Sequence, residues 1–214
     1  MLSFQEFFTA CAGLWKTERT YHFVLQGEIE RSYTEFRVEP LQQAEKEMIV
    51  SLSNPAASFK VDLAQLMADE SRWPGFAIAF DTRSETGETL SMRLKALFVP
   101  DAYVQDAQLT TEAPPLPVAA QVEPAGEVIQ GFYLRDEGYS EAGAIAGRFT
   151  YQPTRQTLEM ITYYRRSVAV DQMRIVTPDL RIRTIITYQR PQCNDQPPTV
   201  IDLIGFGTER KQSA

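Results

Sequence analysis

Three separated stretches of this chain place like residues at every second position. Leu90, Met92, Leu94, Ala96 and Phe98 share one side, with Ser91, Arg93 and Lys95 on the other. Leu158, Met160, Thr162 and Tyr164 repeat the pattern, and so do Leu180, Ile182, Thr184, Ile186 and Tyr188. A period of two belongs to a strand, because successive Cβ atoms project to opposite faces of a sheet. Short turns such as Ser84-Glu85-Thr86-Gly87 lie between such runs, which predicts an antiparallel meander. About seven or more strands in one domain would leave sheet edges exposed, and closing the sheet removes them. The pattern therefore predicts an all-β antiparallel barrel.

Two segments carry helical spacing instead. Ser3-Phe4-Gln5-Glu6 has the form of a capping box, and Phe4, Phe7, Phe8, Cys11 and Ala12 follow on one side before Gly13. This short helix must lay its apolar side against something, so residues 1–13 are expected to cap one barrel end. Leu41 to Leu52 is the second candidate, through Leu41, Ala44, Met48, Ile49 and Leu52. Thr110 to Gly126 is proline-rich and has neither period. It predicts a mobile surface loop within a longer insertion over residues 101–130, not a domain linker. There is no internal repeat, and residues 1–214 are read as one domain.

Charge and cysteine usage remove several functions. A formal charge of −7 argues against general nucleic-acid binding, which needs a basic surface. No apolar run approaches the ~20 residues of a membrane span, and the N-terminus lacks a leader pattern. Cys11 and Cys193 have no CxxC spacing, and the single histidine, His22, does not suit a His-based metal site or a Ser-His-Asp triad. A reducing cytosol is the expected location.

The strand in "TPDLRIRTIITY", residues 177–188, carries Arg181 and Arg183 on the face opposite its apolar residues. Pattern alone favours solvated arginines, because charges are rarely buried unpaired. The alternative turns them into the barrel, where they must meet carboxylates of the protein or of a ligand. Arginines at i and i+2 lie roughly 7 Å apart, a suitable separation for the two propionate arms of a tetrapyrrole. Spacing alone leaves both readings open.

Several segments together resemble a known family. Gly13-Leu14-Trp15-Lys16-Thr17-Glu18-Arg19 is similar to the helix-to-strand junction of the S-type phycobiliprotein lyases, the CpcS/CpeS chromophore lyase family. Arg135-Asp136-Glu137-Gly138-Tyr139 and Ala146-Gly147-Arg148-Phe149 resemble its Arg-x-x-Gly-Tyr and Ala-Gly-Arg-Tyr signatures. Pro178-Asp179-Leu180-Arg181-Ile182-Arg183-Thr184 resembles its Pro-Asn-Leu-Arg-Leu-Arg-Thr strand. These pieces occur in the family's order. The resemblance implies a lipocalin-like (calycin) barrel with an N-terminal helix and one further short helix, and Gly13-x-Trp15 looks like the lipocalin Gly-x-Trp.

The implied activity is to bind a phycobilin, such as phycocyanobilin, as substrate and deliver it to a cysteine of an apo-phycobiliprotein, with no separate cofactor or metal. The acceptor supplies the thiol, so Cys11 and Cys193 are read as structural. By the same resemblance Arg181 and Arg183 clamp the bilin propionates. Asp171 and Glu209 hydrogen-bond the pyrrole nitrogens and favour a protonated, electrophilic bilin. Arg19 contacts the ligand or pairs with a neighbouring acid. Phe80 packs on a pyrrole ring or in the core, Arg148 belongs to the ligand-contacting set, and Tyr163 and Tyr164 serve strand packing.

Departures from the family pattern are Asp179 for asparagine, Ile185 at a small polar position, Arg174-Ile175 for an aromatic pair, and the long 101–130 segment. They keep two other functions open, a non-catalytic carrier of a bilin or apolar carboxylate, and a non-delivering subunit paired with a homologous lyase. A homodimer is a further expectation from the resemblance.

Overall fold

The computed structural model describes residues 1–53, 60–69, 72–105, 115–120, 126–138 and 141–213. Helix α1 (Phe4–Cys11) starts at a complete capping box, with Ser3 accepting from the Glu6 N–H and Glu6 accepting from the Ser3 N–H. Its buried side, Phe4, Phe7, Phe8 and Cys11, has no water-facing alternative and plugs one barrel end.

Strand β1 (Gly13–Phe23) follows at once, then β2 (Glu28–Pro40), α2 (Gln43–Ser53), β3 (Lys60–Val61) and α3 (Leu63–Met67). Strands β4 (Gly75–Ser84), β5 (Thr89–Pro100), β6 (Val104–Gln105), β7 (Ile129–Arg135) and β8 (Ile145–Gln152) continue the chain. The last four are β9 (Thr157–Tyr163), β10 (Ser167–Thr177), β11 (Leu180–Gln189) and β12 (Ile201–Lys211).

Ten strands close into one antiparallel barrel in the order β1-β12-β11-β10-β9-β8-β7-β5-β4-β2. The barrel predicted from alternation is therefore present, and α2 occupies the second predicted helix. The short α3 had no periodic signal. Beside the barrel, β3 and β6 form a two-stranded pair.

Closure depends on the start and end of the chain meeting. β1 pairs with β12 from Trp15 opposite Lys211 to Phe23 opposite Leu203. Gly13 turns the chain from α1 into β1 with φ +124°, a conformation costly for other residues, and a Cβ there would lie 2.8 Å from Lys211 Cε. The Trp15 indole N–H donates to the Cys11 carbonyl at 2.9 Å, and the Tyr151 hydroxyl donates to the Leu2 carbonyl at 2.7 Å. These two bonds seat the helix on the floor.

Three apolar layers result. Inside, the helix aromatics meet Phe98, Phe149 and Tyr151, with Phe4 stacked on Phe149 at 5.4 Å. Outside, α2 covers β5 and β7 through Ile49, Val50, Leu97 and Leu134, with Lys95–Glu45 at 3.0 Å along its margin. A third cluster joins Ala120 to Ile161, Val170 and Tyr188 on the outer face of β9 to β11.

That third cluster bears on the mobile surface loop expected over Thr110 to Gly126, within the longer insertion over residues 101–130. Asp101–Tyr103 and Val118–Ala120 form 3-10 turns, and Ala120 is buried against the barrel. The Gln172 amide also donates to the Ala119 carbonyl at 3.4 Å. Residues 106–114 and 121–125 lie outside the described residues.

Candidate functional site

A cavity of about 580 Å³ occupies the barrel above the α1 floor. Glu30, Ser84 and Glu88, near the ends of the β1–β2 and β4–β5 hairpins, line it and place its mouth at the end away from α1. Its walls are mixed. Phe36, Ile78, Phe80, Tyr133 and Met160 supply apolar surface, while Arg19, Arg183, Asp171 and Arg135 supply charge.

The two strand arginines point inward. On β11 the odd positions, Arg183, Ile185 and Thr187, line the cavity, and the apolar even positions face out. The favoured reading from pattern alone is thus reversed. Two physical features account for it. Ile186 and Tyr188 find apolar cover outside, beneath Ala119 and Ala120, and both guanidiniums find carboxylates inside.

Those carboxylates are Asp171 and Glu209. Arg181 on β11 sits directly opposite Glu209 on β12, and its Nε donates to Oε2. Arg19 Nη2 donates to Glu209 Oε1 at 2.9 Å from the other side. Arg19 therefore pairs with an acid on the neighbouring strand. Arg183 Nε donates to Asp171 Oδ1 at 2.9 Å, and its Nη2 donates to Oδ2.

The five groups lie at two depths. Asp171, Arg183 and Arg19 reach the cavity wall. Glu209 is 0 % exposed and Arg181 is 2 % exposed, and neither lines the cavity. Arg181 lies 4.3 Å over the Trp15 ring and shares a small void with Cys11 beneath. Burial raises the Glu209 carboxyl, but the guanidiniums of Arg181, Arg19 and Arg183 outweigh it and hold it at about 2. A carboxylate so placed stays ionised and braces two arginines. It does not line the cavity, whereas the expectation from the resemblance has it hydrogen-bonding pyrrole nitrogens.

Gly207 makes room for this arrangement. It lies on β12 between Arg19 and Arg183 in register, and a Cβ would come within 2.5 Å of the Glu18 carbonyl and 3.1 Å of Arg19 Cγ.

The remaining candidates divide. Phe80 lines the cavity opposite Phe36 in register. Arg148 does not join the site. Its β8 neighbours Phe149 and Tyr151 point inward, so its own side chain lies outside. There it makes a bidentate pair with Asp101 at 2.6 and 2.7 Å and lies 4.4 Å over Phe132. The bulk of Phe132 in the outer layer gives this guanidinium a platform away from the cavity.

Two cavity residues were not anticipated as site residues. Arg135, 1 % exposed on β7, donates from Nη2 to the Tyr164 hydroxyl at 2.6 Å. Tyr164 ends the face already legible as Leu158, Met160 and Thr162, so strand parity was the available signal. Tyr163, by contrast, packs outside with the third cluster. Cys11 is buried and Cys193 exposed, and burial pushes the Cys11 thiol up against the opposing pull of Arg181.

A closed antiparallel barrel, plugged by a helix and hollow above it, has the lipocalin-like architecture. The chain belongs to the CpeS-like protein family, whose sequence pattern matches residues 3–113 and 115–211. It is 38% identical over 208 residues to "Chromophore lyase CpcS/CpeS 1" of Synechococcus sp., covering 97% of this chain and 96% of the relative. It is 27% identical to "Chromophore lyase CpcS/CpeS 2" of Synechocystis sp. over 86% of this chain and 80% of that one. In fold it is similar to the S-type phycobiliprotein lyase CPES from Guillardia theta, with TM-score 0.64 at 16% identity over 100% of this chain and 94% of that chain. Among the described residues no helix is long and apolar enough to cross a membrane.

Proposed function

We propose that this protein is a bilin lyase that takes a phycobilin into the barrel and presents it to a cysteine of an apo-phycobiliprotein. The observation that carries this reading is the 580 Å³ cavity whose apolar and aromatic wall meets an inward-facing Arg183–Asp171 pair. An open-chain tetrapyrrole is a long apolar π system with two carboxylates and a row of pyrrole N–H groups, and it needs that combination. Identity of 38% to a curated chromophore lyase supports the same reading.

The chemistry follows from the wall. A propionate arm enters beside Arg183 and Arg19, exchanging one carboxylate for another at the guanidinium. Asp171, released in part from Arg183, accepts from pyrrole N–H groups and stabilises the protonated pigment. Phe80 and Phe36 give the rings flat surfaces. Protonation draws electron density from the ring-A ethylidene. The acceptor thiol then adds across that double bond, sulfur to the outer carbon and hydrogen to the ring carbon, with no oxidant or reductant. The barrel contributes orientation and exclusion of water, which suits a chaperone for a reactive ligand. The thiol comes from the partner, because Cys11 is buried below the floor. Reduced acceptor thiols fit a cytosolic reaction.

The test is co-expression with bilin-producing enzymes and an apo-phycobiliprotein. Pigment that stays on the acceptor through denaturation is the expected result. Colour retained only on this barrel would make it a carrier, and colour that needs an added homologous lyase would make it a subunit. Either result overturns the proposal.

A further inference from the structure

The cavity wall beside Arg19 holds two buried polar atoms that find no hydrogen-bond partner in the protein. Ser32 on β2 stands opposite Arg19 on β1 in register, and both residues line the cavity. Ser32 is 5 % exposed, and its hydroxyl oxygen is unpartnered. The Arg19 Nε is in the same state. Arg19 Nη2 donates to Glu209 at 2.9 Å and Nη1 to the Tyr21 hydroxyl at 3.5 Å, and neither bond uses the Nε–H. Hydroxyls around Ser32 are provided for. Thr34 and Thr82 bond each other at 2.8 Å. Ser84, opposite Ser32 on its other side, bonds Thr86 at 2.7 Å and accepts from the Glu88 N–H at 3.1 Å.

A buried polar group without a partner weakens a fold, and native chains seldom keep one. Here two meet across one strand pair, on residues whose Cβ atoms lie roughly 5 Å apart. The Nε–H only donates, and the serine hydroxyl also donates and turns among staggered positions. An arriving oxygen that only accepts satisfies both. A carboxylate oxygen does so best, because one of the donors is a guanidinium. The position agrees. Ser84, Ser32, Arg19, Gly207 and Arg183 follow one register line across β4, β2, β1, β12 and β11. Gly207 puts no side chain on this line, which leads from the Arg183–Asp171 pair toward the mouth at Ser84.

We propose that Ser32, together with the Arg19 Nε–H, receives an oxygen of the carboxylate arm that enters beside Arg19 and Arg183. This rests on the bilin reading above and adds a specificity-determining residue to that site. An esterified arm forfeits most of the contact, because its oxygens carry no charge. Ser32 thereby sets how far the arm enters and the height of the pigment beneath the mouth.

The test titrates phycocyanobilin, as its diacid and as its dimethyl ester, into the full-length protein and into Ser32→Ala, with absorbance readout. Thermal melting of both proteins without pigment accompanies it. Ser32→Ala should lose about tenfold in diacid affinity while ester affinity stays within about twofold. Its melting temperature should hold or rise, because the substitution removes an unsatisfied buried hydroxyl. A marked fall in melting temperature would assign the hydroxyl to the fold, and an unchanged diacid affinity would remove Ser32 from the site. Equal losses for diacid and ester would take the contact away from the carboxylate. Each of these overturns the inference while the bilin reading stands. Failure of the wild-type protein to bind either form would overturn both.

Discussion

Arg183 and Asp171 are diagonal neighbours across the β10–β11 pair. Arg183 registers with Met173 and Asp171 with Ile185, and the guanidinium reaches over to bond both carboxylate oxygens. Their side chains are 12 % and 16 % exposed, against 2 % and 0 % for Arg181 and Glu209 one layer below. The upper pair therefore reaches the cavity wall, whereas the lower pair is sealed beneath it.

The first prediction separates the members of the upper pair. Arg183→Gln should weaken bilin binding by about tenfold, the loss of one charge-assisted contact. Asp171→Asn should keep or raise affinity, because it removes a competing carboxylate, yet weaken the long-wavelength band of the protonated pigment. Titration with absorbance readout checks both, and an unaltered spectrum in Asp171→Asn would deny that carboxylate its role.

Glu209 gives a prediction about acid stability. Its folded-state value near 2 lies below the ordinary 4.5, so its contribution is fully present above about pH 4.5 and is lost as pH falls toward 2. A difference of that size is worth on the order of 3 kcal/mol. Glu209→Gln should lower stability at pH 7 by roughly that amount, since it leaves Arg181 and Arg19 without their shared carboxylate. The gap to wild type should narrow toward pH 2. Urea midpoints across this range check it, and a gap independent of pH would mean the carboxylate charge is not what stabilises.

Gly207→Ala tests the space between Arg19 and Arg183. The added methyl meets backbone at 2.5 Å, which a flexible side chain cannot relieve. We expect a loss of about 1–3 kcal/mol together with weaker pigment binding, because the β1–β12 seam must part beside the site. Thermal melting and bilin titration of the variant measure the two effects, and wild-type behaviour in both would show that the seam has slack.

Arg148→Ala is the contrasting case. It removes the Asp101 pair and the stack on Phe132 from the outer layer, and a stability loss of about 1 kcal/mol or less is expected because the pair is partly exposed. Bilin affinity should not change. A marked fall in affinity with the fold intact would return this arginine to the ligand-contacting set.

Much of the fold was legible from local pattern. Ser3 and Glu6 announce α1, and the even positions from Leu158 to Tyr164 announce an inward face that the structure retains. The site was legible only in part. Arg19, Arg183, Asp171 and Phe80 do meet at one cavity, but Arg181 and Glu209 lie under its floor and Arg148 lies outside it. Strand parity assigns a residue to one of two faces and carries no information about depth along the barrel. Arg135 had no local signal, because its companion Tyr164 lies just past the end of β9, two places away in the ring.

Alternation and capping, which are properties of neighbouring residues, were enough to specify strands, a closed sheet and a helix seated at its end. Whether the β11 arginines turned inward was not a local matter. It required Glu209, 28 residues beyond Arg181, to arrive opposite it, and apolar cover from Ala119 and Ala120 to shelter the face that would otherwise have gone inside. A buried charge is tolerable only where its counter-charge is delivered, and that delivery is made by the pairing of strands distant in the chain.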